Sequence, residues 1–212
     1  MRFLIESTES KQLITEGVDG QKDYFIEGIF LQSEVKNRNG RIYPRAVMEK
    51  EINRYVTEFL DKNRAVGELG HPESPTINYD RVSHKFTMLE MRGNDVYGRA
   101  KILNVGLGKI VRGLMDEGIT MGISSRALGS LREQNGAKVV QSDFTLITAG
   151  DIVSDPSAPD AFVTNLMENK EWIWENGKLI ENEKQIKQNI NKIKHESLTA
   201  ILDHILKGNI QK

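Results

Sequence analysis

Apolar residues in this chain come in short bursts separated by turn-forming pairs, and the bursts set the expected elements. DYFIEGIFLQSE, residues 23–34, is aromatic and aliphatic throughout and reads as a strand. NRNGRIYP follows, with an Asn-Gly turn signal and a proline. Pro44 then opens PRAVMEKEINRYVTEFLDK, where Val47, Ile52, Val56 and Leu60 recur at helical spacing, so an amphipathic helix with proline in its first turn is expected. AVGELGHPESP breaks that period into a short strand and a loop holding two glycines and two prolines. VSHKFTMLEM and DVYGRAKIL read as two strands joined through RGND. GKIVRGLMDEG, Gly108 to Gly118, reads as a short helix with glycine at its end. ITMGISSRALGSLRE, the turn QNGA and KVVQSDFTLITAGDIV form a second long hairpin. After the Pro-rich DPSAPDAF, the segment EWIWENGKLIE gives a third small hairpin around Asn176-Gly177.

Two stretches depart from this rhythm. Residues 1–20 are polar and Gly-containing and are expected as a flexible N-terminal arm. From Glu181 onward Lys, Asn, Gln and Glu dominate, with Ile186, Ile190, Ile193, Leu198, Ile201, Leu202, Ile205 and Leu206 on a helical stripe. The division expected is therefore an arm (1–20), a domain (21–180) and a C-terminal helical segment (181–212), the last packed on the domain or docking a partner. Hairpins predominate over βαβ units, so the class is α+β with a mainly antiparallel sheet.

Composition narrows the function classes. The 212 residues, 38% hydrophobic, suit one globular domain with an appendage. The net charge of -1 gives no prior for nucleic acid or a membrane surface. The absence of cysteine excludes disulfide scaffolds, thiol catalysis and cysteine-ligated zinc. The first ten residues hold too few apolar side chains for a signal peptide, and no apolar run reaches the roughly 18–20 residues that cross a bilayer. A soluble intracellular protein is the expectation.

Three short segments carry candidate chemistry: GELGHP, GISSRALG and GDIVSDPS. Of the four histidines, His195 and His204 belong to the charged C-terminal stripe, and His84 alternates within a strand as a rim or core residue. His71 stands at a strand end between Gly70 and Pro72, a place that exposes the ring and fixes its backbone. If residues 119–131 are extended, Ile123, Ser125 and Ala127 share one face and Gly122, Ser124, Arg126 and Leu128 the other. Ser124 is then the better nucleophile candidate. Gly122 beside it leaves room for a substrate backbone, and Arg126 supplies a cation. A serine nucleophile needs a base, and the base needs an orienting group. His71, Ser124 and Asp151 offer that set, whereas Asp155, before Pro156, reads as a turn residue. Glu68, His71 and Glu73 lack the spacing of a zinc helix motif, and GLGKIV lacks both nucleotide-binding glycine patterns, so no metal and no cofactor is expected.

At these residues the chain resembles a known family, the prohead (procapsid) proteases of tailed bacteriophages, most closely the T-even type. NRNGRIYP, GELGHP, GISSRALGSL and DIVSDPS carry the resemblance in that order, from Asn37 to Ser157. ISSRALG is also similar to the nucleophile strand of herpesvirus assemblins, in which a serine stands four residues before Leu-Gly; that register selects Ser124. The assemblin third member is a histidine, and the matching place here holds none. The resemblance implies His71, Ser124 and Asp151 as catalytic residues. It further implies an antiparallel β-barrel core surrounded by helices, and a serine endopeptidase at work in the assembling prohead in the host cytoplasm. Scaffold, core and capsid proteins would be its substrates, cut after glutamate. LITEG and LIEN place candidate self-cleavage sites at Glu16 and Glu181. Arg126 and Gly122 are the candidates for contact with the substrate or oxyanion. The rival reading is a non-catalytic capsid-core protein on the same scaffold.

Overall fold

The computed structural model describes residues 2–8, 11–16, 22–72, 74–154, 172–175 and 178–181. Strands β1 (Arg2–Thr8) and β2 (Lys11–Glu16) precede the long β3 (Lys22–Gln32) and the two-residue β4 (Arg41–Ile42). Helix α1 (Arg45–Tyr55) runs into a π-helical turn, Val56–Leu60, before β5 (Val66–Glu68). A 3-10 turn, Tyr79–Arg81, leads to the hairpin of β6 (Val82–Arg92) and β7 (Asp95–Ile102), and then to helix α2 (Gly106–Asp116). Strands β8 (Gly122–Gly129), β9 (Leu131–Gln134), β10 (Ala137–Val140) and β11 (Thr145–Val153) follow. These belong to one compact unit, Met1–Asn169; the second unit, Lys170–Lys212, contributes the hairpin of β12 (Trp172–Glu175) and β13 (Lys178–Glu181).

The class is α+β and rich in strand, as the hairpin rhythm implies. Five strands form one antiparallel sheet in the order β2-β3-β7-β6-β5, and three form another in the order β1-β8-β11. A small third sheet, β4-β10-β9, contains the one parallel pairing, β10 with β4, among the described ladders. Among the described residues, the β-bridge between the larger sheets is the parallel pair Leu69 and Ile152. That junction is too short to continue a ladder, because β5 pairs with β6 over three residues only and shifts register within them. The described strands therefore make open sheets, not the closed barrel that the resemblance implied.

The arm expected over residues 1–20 is a correction of substance. β1 pairs along its whole length with β8, from Arg2 opposite Gly129 to Thr8 opposite Ile123, and β2 pairs with β3. Leu4 and Ile5 are buried, and burying side chains of this size contributes about 1.5–3 kcal/mol each. The polar surroundings hid a strand whose partner lies more than a hundred residues away. Pro44 caps α1 from outside, and the helix lays Met48, Ile52 and Tyr55 at helical spacing into the core cluster, with the Tyr55 ring edge-on to Phe86. The C-terminal helical stripe beyond Glu181 and the Pro-rich loop from Asp155 lie outside the described residues.

NRNGRIYP proves to be a clamp on β1. Arg41, fully buried, donates through Nη1 to Glu6 Oε1 at 2.8 Å, and the Tyr43 hydroxyl donates to the same oxygen at 2.8 Å. Asn39 Nδ2 donates to Glu6 Oε2 at 2.9 Å. Glu6 stands opposite Ser125, so the clamp holds the sheet beside the serine pair.

Candidate active site

All eight residues of β8 are buried, which a strand achieves only as the centre of a covered sheet. Its neighbour β11 is irregular: Thr148 stands opposite Arg126, yet Asp151 stands opposite Ser124, so β11 spends one extra residue in a bulge. An earlier irregularity in the same strand, after Leu146, is met by Glu51 of α1, whose Oε1 accepts from the Leu146 N–H at 2.6 Å. The bulge re-aims Asp151 so that it and Ser124 leave the same face of the sheet as direct cross-strand partners. Arg126, two residues after Ser124, shares that face.

His71 arrives from the other sheet. Gly67 of β5 passes so close to β11 that a Cβ there would lie 2.2 Å from the Gly150 carbonyl oxygen and 2.3 Å from His84 Nε2, so only glycine fits. At the end of β5 the Glu68 N–H donates to Asp151 Oδ1 at 2.9 Å, and beyond it the Gly70 N–H donates to the Ile152 carbonyl at 2.7 Å. Gly70 has φ +75, the left-handed conformation that turns the chain there. The turn delivers the His71 ring to Asp151, with Nδ1 3.0 Å from Oδ2. An ionised carboxylate only accepts, so Nδ1 carries the proton and Nε2 is left as the basic nitrogen. Nε2 is buried and makes no hydrogen bond among the described residues. The side chain of His71 is 10% exposed, far less than its place between Gly70 and Pro72 suggested.

Arg126 lies beneath this pair with no exposed surface. Its Nε donates to Asp151 Oδ2, its Nη2 to Glu68 Oε1 at 2.8 Å and Asp151 Oδ1 at 3.2 Å, and its Nη1 to the Ser74 carbonyl at 2.8 Å. A guanidinium so engaged faces carboxylates of its own chain, where the sequence had offered it to substrate. His84 is a core residue: Nε2 donates to the Gly150 carbonyl at 2.9 Å, and Nδ1 stands 3.0 Å from the Ser83 hydroxyl. Burial pushes it from the ordinary 6.5 down to about 4, against the opposing pull of Asp151 and of the Gly150 carbonyl. It is therefore neutral near pH 7, and it fixes the main chain directly before Asp151.

A scan against known protein families matches residues 4–171 to the prohead core protein serine protease. The chain belongs to this family. It is 43% identical over 145 residues to the prohead core protein protease of Enterobacteria phage T4, an overlap of 66% of this chain and 68% of the relative. The solved structure of the bacteriophage T4 capsid assembly protease superposes with a TM-score of 0.68 at 34% identity, covering 73% of this chain and 98% of that one.

Asp151 is the shared point of these residues: His71 bonds to it from the other sheet, Ser124 stands opposite it on β8, and Arg126 donates to both of its oxygens. Gly122 opens β8 opposite Val153 and is buried. Glu16 and Glu181 are the last residues of β2 and β13. Sequence reasoning missed Glu68 except as a discarded metal ligand, and placed His84 without seeing that it braces Asp151. Glu68 lies within GELGHP, so the motif flagged the neighbourhood, but the bond from its main chain to Asp151 spans 83 residues.

Proposed function

We propose that this chain is the serine endopeptidase of an assembling phage prohead, acting on scaffold, core and capsid proteins, with Ser124 as nucleophile, His71 as base and Asp151 as the group that orients the base. The observation that carries it is the Asp151 carboxylate: it holds His71 Nδ1 at 3.0 Å and stands directly across the sheet from Ser124. In acylation Ser124 Oγ bonds to the scissile carbonyl carbon while its proton passes to His71 Nε2. The carbonyl oxygen gains the electron pair, and main-chain N–H groups stabilise it. Collapse breaks the C–N bond, and the imidazolium returns its proton to the departing amine. Water then repeats the sequence on the ester and frees Ser124. Asp151 stabilises the imidazolium and stays ionised throughout. Gly122, two residues ahead on the same face, keeps side-chain bulk away from the substrate main chain.

Cleavage after glutamate is part of this reading. Arg126 is then a positioning residue for Asp151, because its donors are directed at Asp151, Glu68 and Ser74. Self-cleavage after Glu181 would release the C-terminal segment. A cut after Glu16 would separate β1, with its whole ladder to β8, from the covalent chain. The test uses the full chain and a glutamate-containing fluorogenic peptide with its glutamine counterpart. Ser124→Ala is expected to abolish turnover and Ser125→Ala to retain it, since Ser125 Oγ only reaches the Glu6 carbonyl at 3.4 Å. Equal activity in wild type and Ser124→Ala would sink the assignment.

A further inference from the structure

The mechanism above leaves one fully buried carboxylate without a task. Glu68 has no exposed surface, yet the reaction as written needs only the charge of Asp151. Burial of a second carboxylate beside the first is unfavourable unless something requires it. The arrangement shows what does. Arg126 reaches both oxygens of Asp151, and a guanidinium in that place diminishes the field with which Asp151 holds a positive imidazole. Glu68 Oε1 accepts from the same guanidinium at 2.8 Å. Two carboxylates against one guanidinium leave one net negative charge facing His71. Without Glu68 the cluster is neutral.

We infer that Glu68 is a positioning residue for the proposed base: its carboxylate takes up the charge of Arg126, and its main-chain N–H fixes Asp151 Oδ1, so that the charge of Asp151 stays directed at His71. The inference rests on the proposed triad and adds a fourth member to it. The surroundings support the division of labour. Asp151 accepts four bonds, from His71 Nδ1, the Glu68 N–H, Arg126 Nε and Arg126 Nη2, which fills the acceptor sites of a carboxylate. The second carboxylate is itself anchored, since the Asn78 N–H donates to Glu68 Oε1 at 3.0 Å. Among the described residues, His71 bonds to Asp151 on β11, and the charged and titratable groups that reach Asp151 or Glu68 are Arg126 on β8, Arg81 in the 3-10 turn, His84 on β6 and Tyr55 on α1. Arg81, 42% exposed as a side chain, keeps a buried Nε 3.5 Å from Glu68 Oε2 without a hydrogen bond, a looser contact than the 2.8 Å bond from Arg126, and burial holds His84 neutral. Glu68 is therefore the group that can offset Arg126.

The test separates charge from packing. In the full chain carrying Ser124→Ala, the imidazole resonances of His71 are followed by NMR against pH, alone and with Glu68→Gln, Glu68→Asp, or Glu68→Gln together with Arg126→Met. Glu68→Gln is expected to move the His71 titration midpoint about one pH unit lower, because the cluster loses its net negative charge. Glu68→Asp keeps the charge and stays near the parent midpoint. The double substitution removes one charge of each sign and recovers at least half of the shift, although it disturbs packing more. In the Ser124 protein the acid limb of kcat/KM for the glutamate peptide moves the same way with Glu68→Gln, and kcat falls about tenfold at unchanged KM. An unmoved midpoint in Glu68→Gln, or a double variant displaced as far as the single, overturns the inference. Activity persisting in Ser124→Ala overturns the triad instead, and the NMR midpoint still judges Glu68 by itself.

Discussion

Acidification acts on this fold through His84. The neutral ring donates from Nε2 to the Gly150 carbonyl and is packed edge-on against Phe86 at 5.3 Å between centroids, with no exposed surface. Burial depresses its folded value to about 4 from the ordinary 6.5. Between those two pH values the unfolded chain binds a proton that the folded chain refuses, so stability is fully present above about pH 6.5 and is lost as the pH falls towards about 4. A difference of roughly 2.5 units at about 1.36 kcal/mol each puts the loss near 3 kcal/mol, a large share of the 5–15 kcal/mol typical of a domain. The assay is urea unfolding at a series of pH values from about 7.5 to 4.5, with His84→Gln beside the wild type. Glutamine keeps an amide N–H for the Gly150 carbonyl and does not titrate. The variant is expected to be less stable near pH 7, where it loses the ring packing, and the gap is expected to close by about 2–3 kcal/mol as the pH falls. A gap between wild type and His84→Gln that is constant over the whole range would refute the reasoning, because the acid loss would then arise elsewhere.

Three further outcomes test other parts of the structure. Gly67→Ala drives a methyl group to 2.2 Å from the Gly150 oxygen and is expected to lower stability by about 3 kcal/mol or more and to abolish peptide cleavage, read by thermal unfolding and turnover. Asp151→Asn is expected to lower kcat about 10⁴-fold with little change in KM, because the wrong tautomer of His71 is favoured; retained kcat would remove Asp151 from the mechanism. Arg41→Met strands the buried Glu6 carboxylate and is expected to cost about 3–5 kcal/mol, whereas Tyr43→Phe removes one hydrogen bond to it and costs about 1–3 kcal/mol, both read from denaturant midpoints.

Local pattern alone located most elements of this chain. Period-two and period-3.6 runs placed β3, α1 and the β6–β7 hairpin, because each buries one face and burial writes its period into the residues that do it, while β8 and β11, buried on both faces, were placed as largely apolar runs around a turn. The three motif segments were visible for a related reason: glycine, proline, histidine and paired serines at strand ends are poor choices unless the backbone or the chemistry demands them. Strand parity likewise put Ser124 and Arg126 on one face and Ser125 on the other. What parity could not supply was the identity of whatever faces them. β1 reads as a polar arm until β8 is there to pair with it. Glu68 reads as a rejected metal ligand and Arg126 as a cation offered to substrate until three chain segments, 68, 126 and 151, converge on one buried cluster. Charge in a sequence carries no record of its counter-charge, and only the folded chain decides whether an arginine meets a substrate or a carboxylate of its own.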